Sequence, residues 1–218
     1  MPRTARFIRA ALVCVIVLLS ALPARAELTS PATVPNSAYA TVIRSLNPKI
    51  REAQSRAYAD ALLASAERLH VDPRLVMAVV TVESSWNARA VSSSGARGLG
   101  QFLPATARDL GVDTRSARST LRGVTTYLHQ LLSMFHASRN AMRYAIAGYN
   151  AGPFAVRTRG IPHYGETPRY VAKVLATFHA LQRRLSSQPT PTEVVAVLDQ
   201  AGTAERVQAA YWGSAPLR

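Results

Sequence analysis

Between Ile50 and Leu185 the apolar residues return at every third or fourth position, and no stretch alternates as a half-buried strand would. That rhythm restricts the chain to packed helices. Tyr58, Leu62, Ala66 and Leu69 mark a first helix over about 50–69. Asp72-Pro73 supplies a capping side chain and a proline at the first helical position, so a second helix starts there and runs to about Trp86. The Ser/Gly stretch Ser92–Gly98 reads as a loop, and Pro104 opens a short helix ending near Gly111. Leu121, Val124, Leu128, Leu131, Leu132 and Phe135 define a long helix over about 116–136. Ser138 caps another that reaches Asn150, where Ala151-Gly152-Pro153 stops it. After a turn at Gly160-Ile161-Pro162, a last long helix covers about 167–185. The chain therefore reads as one mainly α domain over 49–187, without internal repeats. Residues 27–48, with Pro31, Pro35 and Pro48 among Ser, Thr and Asn, read as a flexible lead-in. Residues 188–218 read as a C-terminal tail with one short helical stretch near 193–200.

Charge narrows the function. The formal balance is +14 with only 17% charged residues, and Lys49 and Lys173 are the only lysines, so the excess is arginine. Such a chain is drawn to polyanions: nucleic acid, anionic lipid or an acidic wall polymer. The N-terminus argues against the first. Arg3, Arg6 and Arg9 precede an apolar run from Ala10 to Leu22, and Ala24-Arg25-Ala26 follows as a small-x-small cleavage site. These are the parts of a secretory signal peptide over 1–26. The apolar run covers only about two-thirds of a bilayer core. A cleaved leader is therefore expected, with no stable membrane span after processing and a destination in the periplasm or cell envelope. Loss of the leader's four arginines lowers the +14 to +10, and Cys14, the chain's only cysteine, leaves with them. Thiol chemistry is not expected.

Glu83 is the first residue with chemical promise. Val76, Val79, Val80 and Glu83 fall at i, i+3, i+4 and i+7, so a carboxylate extends an apolar stripe. Desolvation there raises a carboxyl pKa, which a proton donor to a glycosidic oxygen requires at neutral pH. Periodicity alone favours the plainer reading, a boundary glutamate whose head reaches solvent or an arginine.

The context of Glu83 shifts that balance. The chain reads Glu83-Ser84-Ser85-Trp86-Asn87, then Gly95-Ala96-Arg97-Gly98-Leu99-Gly100-Gln101-Phe102-Leu103-Pro104. Later come Gly148-Tyr149-Asn150-Ala151-Gly152-Pro153 and Glu166-Thr167-Pro168-Arg169-Tyr170-Val171. In order and spacing these resemble the motifs of the family 23 lytic transglycosylases, over about residues 60–185. The resemblance implies a lysozyme-like single domain that acts on peptidoglycan glycan strands. It makes Glu83 the catalytic acid/base, with Ser84 positioning the helix end. Ser92, Gln101, Leu103, Tyr149, Asn150, Glu166 and Tyr170 become groove residues. The Tyr149 hydroxyl would approach the catalytic carboxyl, and Asn150 would help hold the sugar. Where the family usually reads Gly-Leu-Met-Gln-Leu-Met-Pro, this chain has Gly100, Phe102 and Leu103 in place of Met, Leu and Met. Ser119-Thr120 stands where an Asn-Ile pair is expected. Taken singly, Ser92 is a loop serine, Gln101 a helix cap, Tyr149 a core aromatic and Trp86 a packing residue. Their joint occurrence carries the reading.

The acids fit one mechanism. Ordinary glycosidases flank the bond with two carboxyl groups. Between Trp86 and Tyr149 only Asp109 and Asp113 occur, near no matching motif. The family route needs one: Glu83 protonates the glycosidic oxygen of the MurNAc-GlcNAc β-1,4 bond, and the muramoyl C6 hydroxyl attacks C1. The implied product is a 1,6-anhydromuramoyl end. His129 and His136 share a helix face without a third ligand, and no Gly-x-Ser-x-Gly, Walker or Rossmann pattern occurs, so neither metal nor cofactor is expected. A lysozyme-type hydrolase and a non-catalytic peptidoglycan-binding or assembly protein remain the rival readings. Wall recycling and service to an envelope-spanning secretion or conjugation machine both stay open as roles.

Overall fold

The computed structural model describes residues 34–163 and 165–186. The expected leader (1–26), the first part of the lead-in and the tail (188–218) lie outside the described residues. Within them run eight helices: α1 (Asn36–Leu46), α2 (Glu52–Leu69), α3 (Pro73–Ser84), α4 (Pro104–Asp109), α5 (Ala117–Met134), α6 (Ala141–Ala151), α7 (Pro153–Arg159) and α8 (Glu166–Ser186). Extended pairing among the described residues amounts to two isolated bridges, Val91 with Arg97 and Arg97 with Phe102.

Helix α3 explains the arrangement. Leu75 through Val80 are all buried, so this helix is apolar on every side and belongs in the middle. It packs on α2, α5 and α8. The Asp72 carboxylate accepts from the Arg74 amide at its start, and Pro73 occupies the first helical position. Burying one such leucine contributes roughly 1.5–3 kcal/mol, so this helix anchors the domain. Helices α2 and α5 meet through a buried polar pair, Ser65 Oγ and Thr125 Oγ1 at 3.1 Å. Each hydroxyl is also within bonding distance of its own helix's carbonyls, so neither is left unsatisfied.

Two segments depart from the sequence reading. Residues 36–46, expected within a flexible lead-in, form helix α1 with Ala38, Tyr39, Ala40, Val42 and Ile43 buried. The apolar pattern was there; the flanking prolines disguised it. Pro35 stands at the N-cap, outside the hydrogen-bonded turns, and Pro48 lies beyond the end, so neither breaks the helix. Asn36 donates its amide to Asp60 of α2, and Asn47 donates to Ser85 O at 3.0 Å. The segment thus braces the end of α3. The second departure is α7. Gly152-Pro153 ends α6 as expected, but Pro153 also opens the next helix, which proline at a first position favours.

Candidate active site

Helix α3 ends at Ser84 by turning left-handed, with Ser85 at φ 50° and Trp86 at φ 63°. Trp86 is buried, stacks on Tyr58 and donates its indole N–H to Thr81 Oγ1 at 3.0 Å, so it is a packing residue. Ser84 Oγ donates to Leu99 O at 2.9 Å, tying the helix end to the following loop. Glu83, in this last turn, is held at the wall of a cleft of about 590 Å³.

The loop from Asn87 to Leu103 forms the opposite wall and holds itself together through its own backbone. Ser92 Oγ accepts from the Ala96 amide at 3.0 Å, closing a tight turn. Gln101 sits at φ 48° and uses its amide to bond Ala90 O at 3.2 Å and Gly98 O at 3.0 Å. Phe102 is buried beneath the cleft, whereas Leu103 is half-exposed on its rim. Gly100 has no room for a side chain: a Cβ there would lie 2.5 Å from Val124 and 3.0 Å from both Phe102 and the Tyr149 hydroxyl.

The cleft lining includes Glu83, Ser92, Gln101, Leu103, Tyr149, Asn150 and Glu166. Glu83 and Glu166, 83 positions apart in the chain, thus share one cleft. Tyr170 is not on the lining but lies behind Glu83, its hydroxyl donating to Glu83 Oε1 at 2.6 Å. The hydroxyl bonded to the carboxyl belongs to Tyr170, while Tyr149, still within range of the Glu83 charge, donates to Gly100 O at 2.9 Å. The reason is positional: α8 packs directly on α3, whereas Tyr149 on α6 faces the loop. Asn150 donates to Glu166 Oε1 at 3.2 Å and accepts from Thr167 Oγ1 at 2.8 Å, joining the end of α6 to the start of α8.

The electrostatics follow from this packing. Burial pushes the Glu83 carboxyl up to about 7; the Tyr170 hydrogen bond opposes the rise and the nearby Glu166 charge adds to it. The carbonyl end of α3 disfavours a negative charge as well. Tyr149 and Tyr170 are raised well above the usual phenol range, first by burial and then by the Glu83 charge, so both remain hydrogen-bond donors. Asp109 and Asp113 are exposed and do not line the cleft, leaving Glu83 and Glu166 as the carboxylates on its lining.

In a scan against family models, residues 60–167 are similar to a transglycosylase SLT domain. Among curated relatives, the chain is similar to a transglycosylase of Enterobacteria phage PRD1, 34% identical over 45% of this chain and 38% of that protein. It is also similar to membrane-bound lytic murein transglycosylase F of Idiomarina loihiensis, 38% identical over 38% of this chain and 19% of that protein. Among solved structures it resembles an inactive mutant of the lytic transglycosylase Slt from Pseudomonas aeruginosa, with a TM-score of 0.50 and 26% identity. That match covers 70% of this chain and 29% of the other. The chain thus spans well under half the length of these relatives. The SLT fold is mainly helical and lysozyme-like, as the motifs imply.

Among the cleft residues that sequence reasoning missed, such as Ser93, Thr106 and Tyr127, Tyr127 carries the one aromatic hydroxyl. The available signal was an aromatic with a polar tip at the edge of the α5 apolar stripe, one turn past Gly123.

Proposed function

We propose that this chain is a peptidoglycan lytic transglycosylase that cuts the MurNAc-GlcNAc β-1,4 bond with Glu83 as its single acid/base. The observation that carries the reading is a mostly buried carboxyl, raised to about 7, at the wall of an open cleft. Such a group keeps its proton in a large fraction of molecules near neutral pH, where an ordinary glutamate is ionised, and can give it to a glycosidic oxygen. Tyr170 engages one carboxyl oxygen, which leaves the other to carry that proton toward the substrate. As the C1–O4 bond breaks, the proton passes to O4 of the departing N-acetylglucosamine. The ionised Glu83 then takes the proton of the muramoyl C6 hydroxyl as its oxygen bonds to C1. The carboxyl ends as it began, and no water is consumed.

The cleft lining holds a second acid, Glu166, which accepts from Asn150 at the α6–α8 corner and is assigned a groove-lining role. Ser92, Gln101 and Leu103 would contact the glycan from the loop wall, with Tyr149 and Asn150 holding that wall and the α6–α8 corner in place. The enzyme would work in the cell envelope, exported behind the residue 1–26 leader. Peptidoglycan recycling and gap opening for an envelope-spanning machine are the two roles that fit. Among the described residues no helix is long and apolar enough to cross a membrane.

The test is digestion of purified sacculi, with Glu83→Gln beside the wild type and product masses recorded. Anhydro ends, one water lighter than hydrolysis products and absent with the variant, are expected. Reducing ends that have gained water would assign a lysozyme-type hydrolase instead. Binding without cleavage would assign a non-catalytic peptidoglycan-binding protein.

A further inference from the structure

We propose that the Tyr127 hydroxyl is a substrate-recognition group that donates a hydrogen bond to the N-acetyl carbonyl of a sugar bound in the cleft. The proposal rests on the peptidoglycan reading for its ligand class, and on geometry for its site.

Three tyrosines surround the cleft, and two hydroxyls are committed: Tyr149 to Gly100 O and Tyr170 to Glu83. The Tyr127 hydroxyl has no hydrogen-bond partner among the described residues, although its residue lines the cleft and is more than half buried. Its ring is fixed against Tyr149 at 5.2 Å and Phe102 at 6.4 Å, so the hydroxyl cannot swing away to solvent freely. One turn earlier Gly123 lacks a side chain. A Cβ there would lie 2.3 Å from Val112 and 3.3 Å from Phe102, so this gap admits Phe102, one of the rings on which Tyr127 leans.

A saccharide entering the cleft would strip this hydroxyl of water. Leaving a desolvated hydroxyl unpaired is unfavourable, so a ligand that fits must bring an acceptor. Burial raises the Tyr127 phenol above its ordinary range, which keeps it a donor at any working pH. An amide carbonyl is a strong acceptor with no proton of its own, and the acetyl methyl beside it matches the aromatic ring surface. Sugar hydroxyls bring no such apolar companion. Tyr127 lines the same cleft as Glu83, so a sugar held here sits in the groove that the carboxyl serves.

The experiment measures calorimetric affinities of the full chain in a Glu83→Gln background, with and without Tyr127→Phe. The ligands are the N-acetylglucosamine tetramer and cellotetraose, both neutral. Phenylalanine keeps the ring packing, and equal melting temperatures verify that. Tyr127→Phe should weaken the N-acetylated tetramer about tenfold, while cellotetraose binds both proteins alike or binds neither. Equal affinity of the two proteins for the N-acetylated tetramer overturns the proposal, as does an equal loss on both ligands or no binding at all. Sacculus digestion by the wild type, run in parallel, keeps the outcomes separate. Cleavage with an unchanged Tyr127→Phe affinity removes only this inference, whereas a tenfold loss without cleavage removes only the catalytic reading.

Discussion

Helix α3 and the loop after it contribute to the same cleft in opposite ways. The helix is regular, buried on all sides along Leu75–Val80, and places one side chain, Glu83, on the lining. The loop has almost no repeating structure, carries Gln101 at positive φ and places Ser92, Gln101, Phe102 and Leu103 there. The proton donor is held by packing, where its environment is dry and fixed. The recognition surface is held by polar contacts that a single substitution can release. Charge is uneven along the chain: residues 34–86 carry six basic and five acidic side chains, whereas residues 87–186 carry fourteen and three, so the positive excess follows α3 in the sequence.

The strongest test of this division is Glu83→Gln. Activity on sacculi should fall by about 100-fold or more, the scale of general acid catalysis. The same change should stabilise the fold at neutral pH. With a native pKa of about 7 against 4.5 unfolded, the native state holds the Glu83 proton over that interval. The full stability is present below the unfolded value and is lost as pH rises through the native one, by on the order of 1–3 kcal/mol. Melting temperatures of wild type and variant should therefore agree near pH 4 and separate by pH 8, with the variant higher. Agreement at both ends would mean that Glu83 is not buried as described.

Tyr170→Phe acts on the helix side alone. It removes the hydrogen bond to Glu83 Oε1, and turnover should fall about tenfold, near 1.4 kcal/mol. Because that bond holds the carboxyl pKa down, its loss should move the alkaline limb of the pH–rate profile upward. Gln101→Ala acts on the loop side. It removes the side-chain bonds to Ala90 O and Gly98 O, which keep their backbone partners, so the apparent Michaelis constant should rise more than turnover falls, with a stability loss of about 1 kcal/mol. If Tyr170→Phe changes only the Michaelis constant and Gln101→Ala only turnover, the division is reversed. The smallest effect is expected from salt. Binding to sacculi should weaken as ionic strength rises above about 0.1 M, where exposed charges are screened, and a flat profile would detach the arginines from wall binding.

Much of this was legible from spacing. Tyr58, Leu62 and Ala66 fix α2, and Leu121, Val124, Leu128 and Leu131 fix α5, because a helix core repeats locally. The Asp72-Pro73 start of α3 was legible for the same local reason. Helix α1 was not, because three prolines in a polar setting outweighed the pattern Ala38, Tyr39, Val42, Ile43. Helix α7 was missed because Pro153 both stops one helix and starts another. The cleft's membership could be read from the motifs, but its wiring could not. Whether Tyr149 or Tyr170 reaches Glu83 depends on which helix packs against α3, and a linear chain does not display that. Tyr127 escaped for a related reason: its hydroxyl matters only because its neighbours' hydroxyls are taken.

Gly100 makes this corner of the cleft indivisible. A side chain here would run into Val124, Phe102 and the Tyr149 hydroxyl. Gly100→Met by itself should therefore cripple the protein, and only a variant that also carries smaller residues at 124 and 102 could accept it. The three positions Gly100, Phe102 and Val124 thus act as one unit: the shape of the cleft at this corner can be redesigned as a set, but not one substitution at a time.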